Sequence, residues 1–310
     1  MHAMLIVNPH ATSTTERRRD LLTHALAGEV SLRVEHTHGR GHAAELAAKA
    51  ADEGFDLVVV HGGDGTVNEV TNGLLAGGIR PAGPILAIVP GGSTNVFARA
   101  VGIDPDPTAA TEQILEALTS GREPRTVSVG RAGRRYFTFN AGIGLDADVV
   151  RRVEETRAAG KKISNLLHLR HALAAYRDHE KSTGPLVVTL PGDDPIPGCH
   201  LAFVSNVNPW TYLSGRPIRT NPQTSPDGGL GVFVARSLAL PTVARTVGQL
   251  IRSKPGHSPH GRQLVRTDDV AWVRVAAPNG PTGVQADGDY LGEFDEVEFV
   301  SIPRALRVLV

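Results

Sequence analysis

The sequence has a single cysteine, Cys199, so no disulfide can close within the chain, and a reducing cytoplasm is the expected setting. It also has no excess of charge, because 32 Lys and Arg face 32 Asp and Glu. Without a basic surplus there is no electrostatic footprint for nucleic acid, and none is expected as a partner. Long hydrophobic runs are missing too. The opening MHAMLIVNPH carries an apolar run too short for a signal peptide or a membrane span, and it reads as a first strand. Thirteen histidines show no pair spaced as in HExxH, and the neighbours His168 and His171 read as solvent histidines. Internal repeats, low-complexity tracts and long charge runs are absent. What remains is an ordinary globular composition, 41 % hydrophobic, in 310 residues, enough for two domains with their own cores.

The most informative stretch is Leu57 to Asn72, LVVVHGGDGTVNEVTN. Leu57 to Val60 is a short β-rich apolar run, the pattern of a strand buried on both faces. Gly62, Gly63 and Gly65 break it, and Val67, Val70 and Leu74 then follow helical spacing. A strand that feeds a glycine turn opening a helix is a phosphate cradle, since bare backbone N–H groups at a helix start attract anions. Asp64 alone would repel phosphate there, but it is at home if Mg²⁺ lies between them. The plainer account of GGDG is a tight turn with Asp64 as a cap.

The rest of the first half repeats this rhythm. Strands are expected at Met4–Val7, Leu32–Thr37 and Ile85–Val89, with helices from Ser13 to Ala27, after Gly39 and Gly41, and from Asp106 to Ser120. A further turn, Pro90-Gly91-Gly92, precedes Ser93 or Thr94 as a helix cap. Strands alternating with helices predict a doubly wound parallel sheet, with Asn8-Pro9 and all three glycine turns on the edge where ligands bind. After Gly121 the pattern changes to strand-like runs joined by Gly, Pro and Asp, interrupted only by helices at Lys161–Arg177 and Pro241–Arg252. The expected organisation is an α/β nucleotide-binding domain over 1–123 and a mainly antiparallel, sandwich-like β domain over 124–303. The tail 304–310 is left open on this reading, with a return to the first domain as one of its two courses.

NPHATS (8–13), THGRGHA (37–43), GGDGTVNEV (62–70), PGGSTNVFAR (90–99), FNAGIGLDA (139–147), SPDGGL (225–230) and QADGDYLGE (285–293) follow one another in an order that resembles the diacylglycerol kinase catalytic-domain family. The likeness is greatest to its bacterial soluble lipid kinases, with sphingosine kinases more distant. GGDGT alone is shared with NAD kinases and resembles a phosphofructokinase motif. The resemblance implies ATP and Mg²⁺ as cofactors, with ATP contacts at Asn8, Thr37, Gly62, Gly63, Asp64, Gly65, Thr66, Val67, Asn68 and Ser93. It implies Asp289, which closes Asp287-Gly288-Asp289, as catalytic base, and Asp64 as organiser of Mg²⁺. It further implies a structural Mg²⁺ on Thr224, Asp227 and Gly229. Read alone, DGD is a hairpin turn and Asp-Gly-Gly an ordinary loop.

Three departures stand out. The base of these relatives is usually Glu, one methylene longer than Asp289, and Val96 and Ser128 occupy positions where many of them carry Asp. The activity implied is phosphorylation of a lipid hydroxyl, foremost diacylglycerol to phosphatidic acid, in phospholipid biosynthesis. Alternatives are a sphingoid lipid or NAD as acceptor, or a non-catalytic nucleotide- or lipid-binding regulator. The expected partner is a lipid substrate at a membrane surface, met through transient peripheral contact, with a homodimer left open. Phe203, Val204, Phe233 and Val234 can line an acyl cleft or simply fill the core. A basic amphipathic helix carrying Lys161, Lys162, Ile163, Leu166, Leu167, Arg170, Leu173, Tyr176 and Arg177 can rest on a bilayer or cover a sheet. Trp210, Tyr212 and Leu213 can form a lip for lipid or pack locally.

Overall fold

A computed structural model of the chain describes residues 1–12, 15–158, 165–179, 184–213, 215–252, 254 and 256–310. Two compact units emerge, Met1–Val129 with Ile302–Val310, and Gly130–Ser301. The first unit contains β1 (His2–Val7), α1 (Glu16–Ala27), β2 (Ser31–His36), α2 (His42–Asp52), β3 (Leu57–Gly62), α3 (Asp64–Leu74), β4 (Ile85–Pro90), α4 (Val96–Val101) and α5 (Pro107–Ser120). The strand β5 (Arg125–Ala132) contains the division between the units.

In the first unit β2, β1, β3 and β4 pair in that order, all parallel. Every residue of β3 is buried, as a strand covered on both faces must be. Ala3, Leu5, Val7, Leu57, Val59, Ala87 and Val89 face one layer with Leu22 and Leu26 of α1 and Ile114 and Ala117 of α5. The alternate residues face the other way, toward α2 and α3. A methyl on Gly73 would strike the Ala44 carbonyl, so this residue sets how closely α3 approaches α2. The amino-terminal helix starts at Glu16 rather than Ser13, because Thr15 caps it by accepting from the Arg18 N–H at 3.3 Å. Ser13 itself lies outside the described residues.

The second unit holds β6 (Arg135–Phe137), β7 (Asn140–Gly144), α6 (Leu145–Ala158), α7 (Asn165–Asp178), β8 (Leu186–Thr189), β9 (Ile196–Cys199) and β10 (Leu201–Ser205). It continues through β11 (Thr211–Leu213), β12 (Arg216–Ile218), β13 (Leu230–Ala235), α8 (Leu240–Ile251), β14 (Leu264–Val270), β15 (Trp272–Ala276), β16 (Thr282–Ala286) and β17 (Asp289–Phe294). The last strand, β18 (Glu296–Val308), begins here and ends in the first unit, where Val308 pairs with Leu86. One layer is a six-stranded sheet ordered β14-β13-β10-β7-β16-β17, with the pairs antiparallel throughout. Its Ile143, Val204, Val232 and Val284 share a core with Val188 of β8, Val275 of β15 and Phe299 of β18. This is the expected sandwich.

Several elements escape the sequence reading, among them the short strands β9, β11 and β12. Helix α6 follows β7 directly, although LDADVVRRVEETRA is so polar that it shows little apolar periodicity. The turn of the β16–β17 hairpin is legible in Asp287-Gly288, but its strands TGVQA and DYLGEF alternate too weakly to be read. Cys199 is buried, and burial pushes its thiol up to about 11, so it is an unreactive core residue.

Candidate active site

Parallel pairing puts the carboxyl ends of β1, β2, β3 and β4 on one edge of the first unit. Strand order reverses between β1 and β3, which makes that gap the crevice where such sheets take ligands. Asn8 and the Gly62–Asp64 turn stand on either side of it, and the Asn8 Nδ2 donates to the Thr66 hydroxyl at 2.9 Å. The His10 N–H in turn holds the Asn8 side chain at 3.0 Å. The two glycine turns lie backbone against backbone. The Gly91 N–H donates to the Gly62 carbonyl at 2.7 Å, and a Cβ on Gly91 would come within 2.9 Å of the Gly62 Cα.

Three helices open from glycine turns on this edge, and internal carboxylates fill two of their N-termini. Glu69 accepts from the N–H groups of Gly41 at 2.9 Å and Ala43 at 3.2 Å, closing the start of α2. Asp64 accepts from the Val96 N–H at 2.7 Å and the Thr94 hydroxyl at 2.8 Å, closing the start of α4. Burial raises the Asp64 carboxyl above the usual aspartate range, and the bonds from Thr94 and the backbone at Val96 pull it back. The third helix, α3, has no side-chain cap. Gly65 in its first turn is exposed, and a side chain there would meet open space. Among the described residues of this edge, the first turn of α3 is therefore the seat prepared for an anion.

The remaining predicted contacts fall around that seat unevenly. Ser93 is exposed on the neighbouring turn. Thr37 is buried, its N–H bound to the Val7 carbonyl at 2.9 Å, and Val67 and Asn68 are buried in α3. Asn68 accepts from the Asn72 amide rather than facing the edge alone. Val96 is buried as well, so its contribution here is the backbone N–H given to Asp64.

In the second unit Asp289 opens β17, and its Oδ2 accepts from the Arg135 guanidinium at 3.0 Å, with side chains 21 % and 28 % exposed. Asp287 and Gly288 both have positive φ, 49° and 80°, and Ala286 pairs with Asp289 across them. This is the two-residue turn that Asp-Gly favours. The Asp287 side chain does more than turn the chain. It accepts from the Thr138 N–H at 2.6 Å, the Thr138 hydroxyl at 2.7 Å and the Phe139 and Asn140 N–H groups at 3.0 Å each. Gln285 completes the frame by accepting from the Gly288 N–H at 3.0 Å and donating to Asp146 at 2.7 Å. Burial pushes Asp287 and Asp146 each up to about 6, against those donors. Gly142 lies under Asp146, where a Cβ would strike its carboxylate. Asp146, Gln285 and Thr138 are the residues that sequence reasoning missed, although Asp146 stands inside FNAGIGLDA.

The predicted metal loop is less gathered. The Thr224 hydroxyl donates to Asp268 at 2.9 Å, the Gly229 N–H to Asp269 at 2.7 Å, and Asp227 accepts from Ser225 at 3.3 Å. Among the described residues no three His, Cys, Asp or Glu side chains converge as a metal cluster. A cation there would rest on Asp227, carbonyls and water. Ser128 is buried.

On the acceptor side, Val204 and Val234 belong to the core, and Trp210 packs on Phe203 with ring centres 4.5 Å apart. Phe203 and Phe233 are buried and paired across β10 and β13. Leu213 is half exposed. Of the expected membrane helix, Lys161, Lys162 and Ile163 lie outside the described residues, as does the Leu166 side chain. The Tyr176 hydroxyl donates to the Leu238 carbonyl at 2.8 Å, and Leu173 is exposed. No described helix is long and apolar enough to cross a membrane.

Comparison with known proteins bears out the resemblance. Residues 2–129 match the diacylglycerol kinase catalytic domain model. A Chromohalobacter salexigens protein named "Probable lipid kinase YegS-like" is 37 % identical over 147 residues, 47 % of this chain and 44 % of that protein. A Bacillus subtilis diacylglycerol kinase is 39 % identical over 105 residues, 34 % of this chain and 32 % of its own length. These two matches thus span less than half of the relatives concerned. A Stenotrophomonas maltophilia protein, also named "Probable lipid kinase YegS-like", is 28 % identical over 292 residues, 92 % of this chain and 88 % of that one. The crystal structure of a diacylglycerol kinase from Bacillus anthracis shares the fold, with a TM-score of 0.73 at 22 % identity over 99 % of this chain and 96 % of that one.

Proposed function

We propose that this chain, whose residues 2–129 belong to the diacylglycerol kinase catalytic-domain family, is an ATP-dependent lipid kinase with diacylglycerol as its foremost substrate. The observation that carries the reading is the uncapped first turn of α3 at the switch point, beside two helix starts already closed by Glu69 and Asp64. The first unit supplies N–H groups to the nucleotide phosphates, with the Ser93 hydroxyl at hand and Asn8 fixing Thr66. Asp64 would hold Mg²⁺ through its carboxylate, and the ion would supply charge neutralisation to the phosphate oxygens. Asp289 takes the proton of the lipid hydroxyl as its oxygen bonds to the γ-phosphorus and the bond to the β-phosphate oxygen breaks, releasing ADP.

Incubation with labelled ATP, Mg²⁺ and a lipid panel tests this. The expected result is label in diacylglycerol or a related lipid; label only in an aqueous product would favour an acceptor such as NAD, and no product at all would sink the kinase. Asp64→Asn is the informative variant, since Asp64→Ala also strands the Val96 N–H and weakens the fold. A second reading, a nucleotide- or lipid-binding regulator, is favoured by the buried Val96 and the Arg135 ion pair on Asp289. Calorimetry that detects ATP binding without turnover on any lipid would support it.

A further inference from the structure

Helix α8 is placed oddly for a soluble fold. None of its 12 residues, LPTVARTVGQLI, is buried. Leu240, Val247 and Ile251 are 69 %, 45 % and 53 % exposed. With the exposed Ala244 they fall at i, i+4, i+7 and i+11, a single stripe along the helix. The helix sorts apolar from polar residues more sharply than α2 or α3, yet those helices bury their stripes and α8 does not.

A second observation lies beside it. A cavity of about 510 Å³ is lined by Arg245, Arg252, Lys254, His257 and His260, together with Gln249. Gln249 fixes its wall by accepting from the His260 N–H at 2.7 Å and donating to the His260 carbonyl at 3.3 Å. No acidic residue stands between Asp227 and Asp268, a stretch that carries Arg236, Arg245, Arg252, Lys254, Arg262 and Arg266. In a chain with equal numbers of acids and bases, that concentration of one sign is local.

We propose that the exposed face of α8, with the basic cavity beside it, docks the protein on an anionic bilayer. The apolar stripe enters the boundary between headgroups and acyl chains, and the cavity receives an anionic headgroup. A second copy of the chain is the poorer occupant, because it would set the same cations against one another. The inference goes further than the kinase reading, which requires only that a lipid be met somewhere.

The test is flotation of the full chain, without ATP, on vesicles of phosphatidylcholine alone and of phosphatidylcholine with phosphatidylglycerol. Binding should favour the anionic vesicles and weaken with salt, as exposed charges are screened. Val247→Glu with Ile251→Glu should lower the partition coefficient about tenfold or more at an unchanged thermal midpoint. Arg252→Glu with Lys254→Glu should lower it about fivefold or more for each charge removed. Turnover on a short-chain soluble acceptor should be unchanged in both variants. Equal flotation of wild type and variants overturns the proposal, as does equal binding to neutral vesicles. Light scattering that finds a dimer in the wild type and a monomer in Val247→Glu with Ile251→Glu also overturns it. Vesicle binding is read without turnover, so an inactive protein that still floats through α8 sinks the kinase and leaves the docking face standing.

Discussion

The two units build their chemistry from different material. In the first, the candidate site is almost all backbone: stacked glycine turns, an open helix start, and two carboxylates spent on closing the neighbouring helices. In the second it is almost all side chain, with Asp289 held by Arg135 and framed by a hairpin that Asp287, Gln285 and Asp146 fasten from below. A backbone site depends on what is absent at Cβ, whereas a side-chain site depends on partners brought from far along the chain. The two should therefore fail in different ways when altered.

Asp289→Asn gives the largest expected effect: turnover falls about 10²- to 10⁴-fold, while the thermal midpoint barely moves because the ion pair with Arg135 is partly exposed. Steady-state kinetics beside a melting curve reads both, and undiminished turnover would remove the base from the second unit. Next, Gly62→Ala should destabilise by about 1–3 kcal/mol, since its Cβ would come within 2.6 Å of Thr66. Gly65→Ala meets nothing in the fold and should leave stability alone while weakening ATP binding about tenfold, or ~1.4 kcal/mol. If urea unfolding and ATP titration show the two glycines behaving alike, the backbone site is misplaced.

The pH profile sharpens the contrast. Burial holds Asp146 and Asp287 at about 6, above their unfolded value of 3.8. Such groups bind protons more tightly when folded, so their stabilisation is present below the unfolded value and is lost as pH rises toward about 6. Asp146→Asn should flatten the fall in melting temperature between pH 4 and 6.5. A difference from wild type that stays constant across that range would contradict the burial argument. The smallest effect is expected from Glu69→Ala, which uncaps α2 at a cost of about 1 kcal/mol in urea unfolding.

The same contrast governs what the sequence reveals. Leu57–Gly62 and GGDG are legible because a buried parallel strand must be an apolar run and an open helix start must follow glycine. The sandwich is legible from short strands and turn residues. The closure of α2 by Glu69 is not, because it crosses 28 residues from one helix to the start of another. Neither is the Asp287 frame, whose donors at Thr138 to Asn140 stand up to 149 residues away. Read locally, DGD is only a turn; its side chain's second task exists only once β7 and β16 are neighbours. Helix α6 is hidden for the opposite reason, since its polar sequence leaves the sheet to decide where it lies.

The stacked turns carry a restriction on how this chain can change. A Cβ on Gly63 would reach to 3.2 Å from the Gly92 Cα, and one on Gly92 to 2.8 Å from the Gly63 Cα, as Gly91 does toward Gly62. Neither partner has a side chain to shorten in compensation, so a substitution at one of the pair has no rescuing substitution at the other. At Gly63, Gly91 and Gly92 the nearest opposing atoms are backbone, so these three positions can change only by parting β3 from β4.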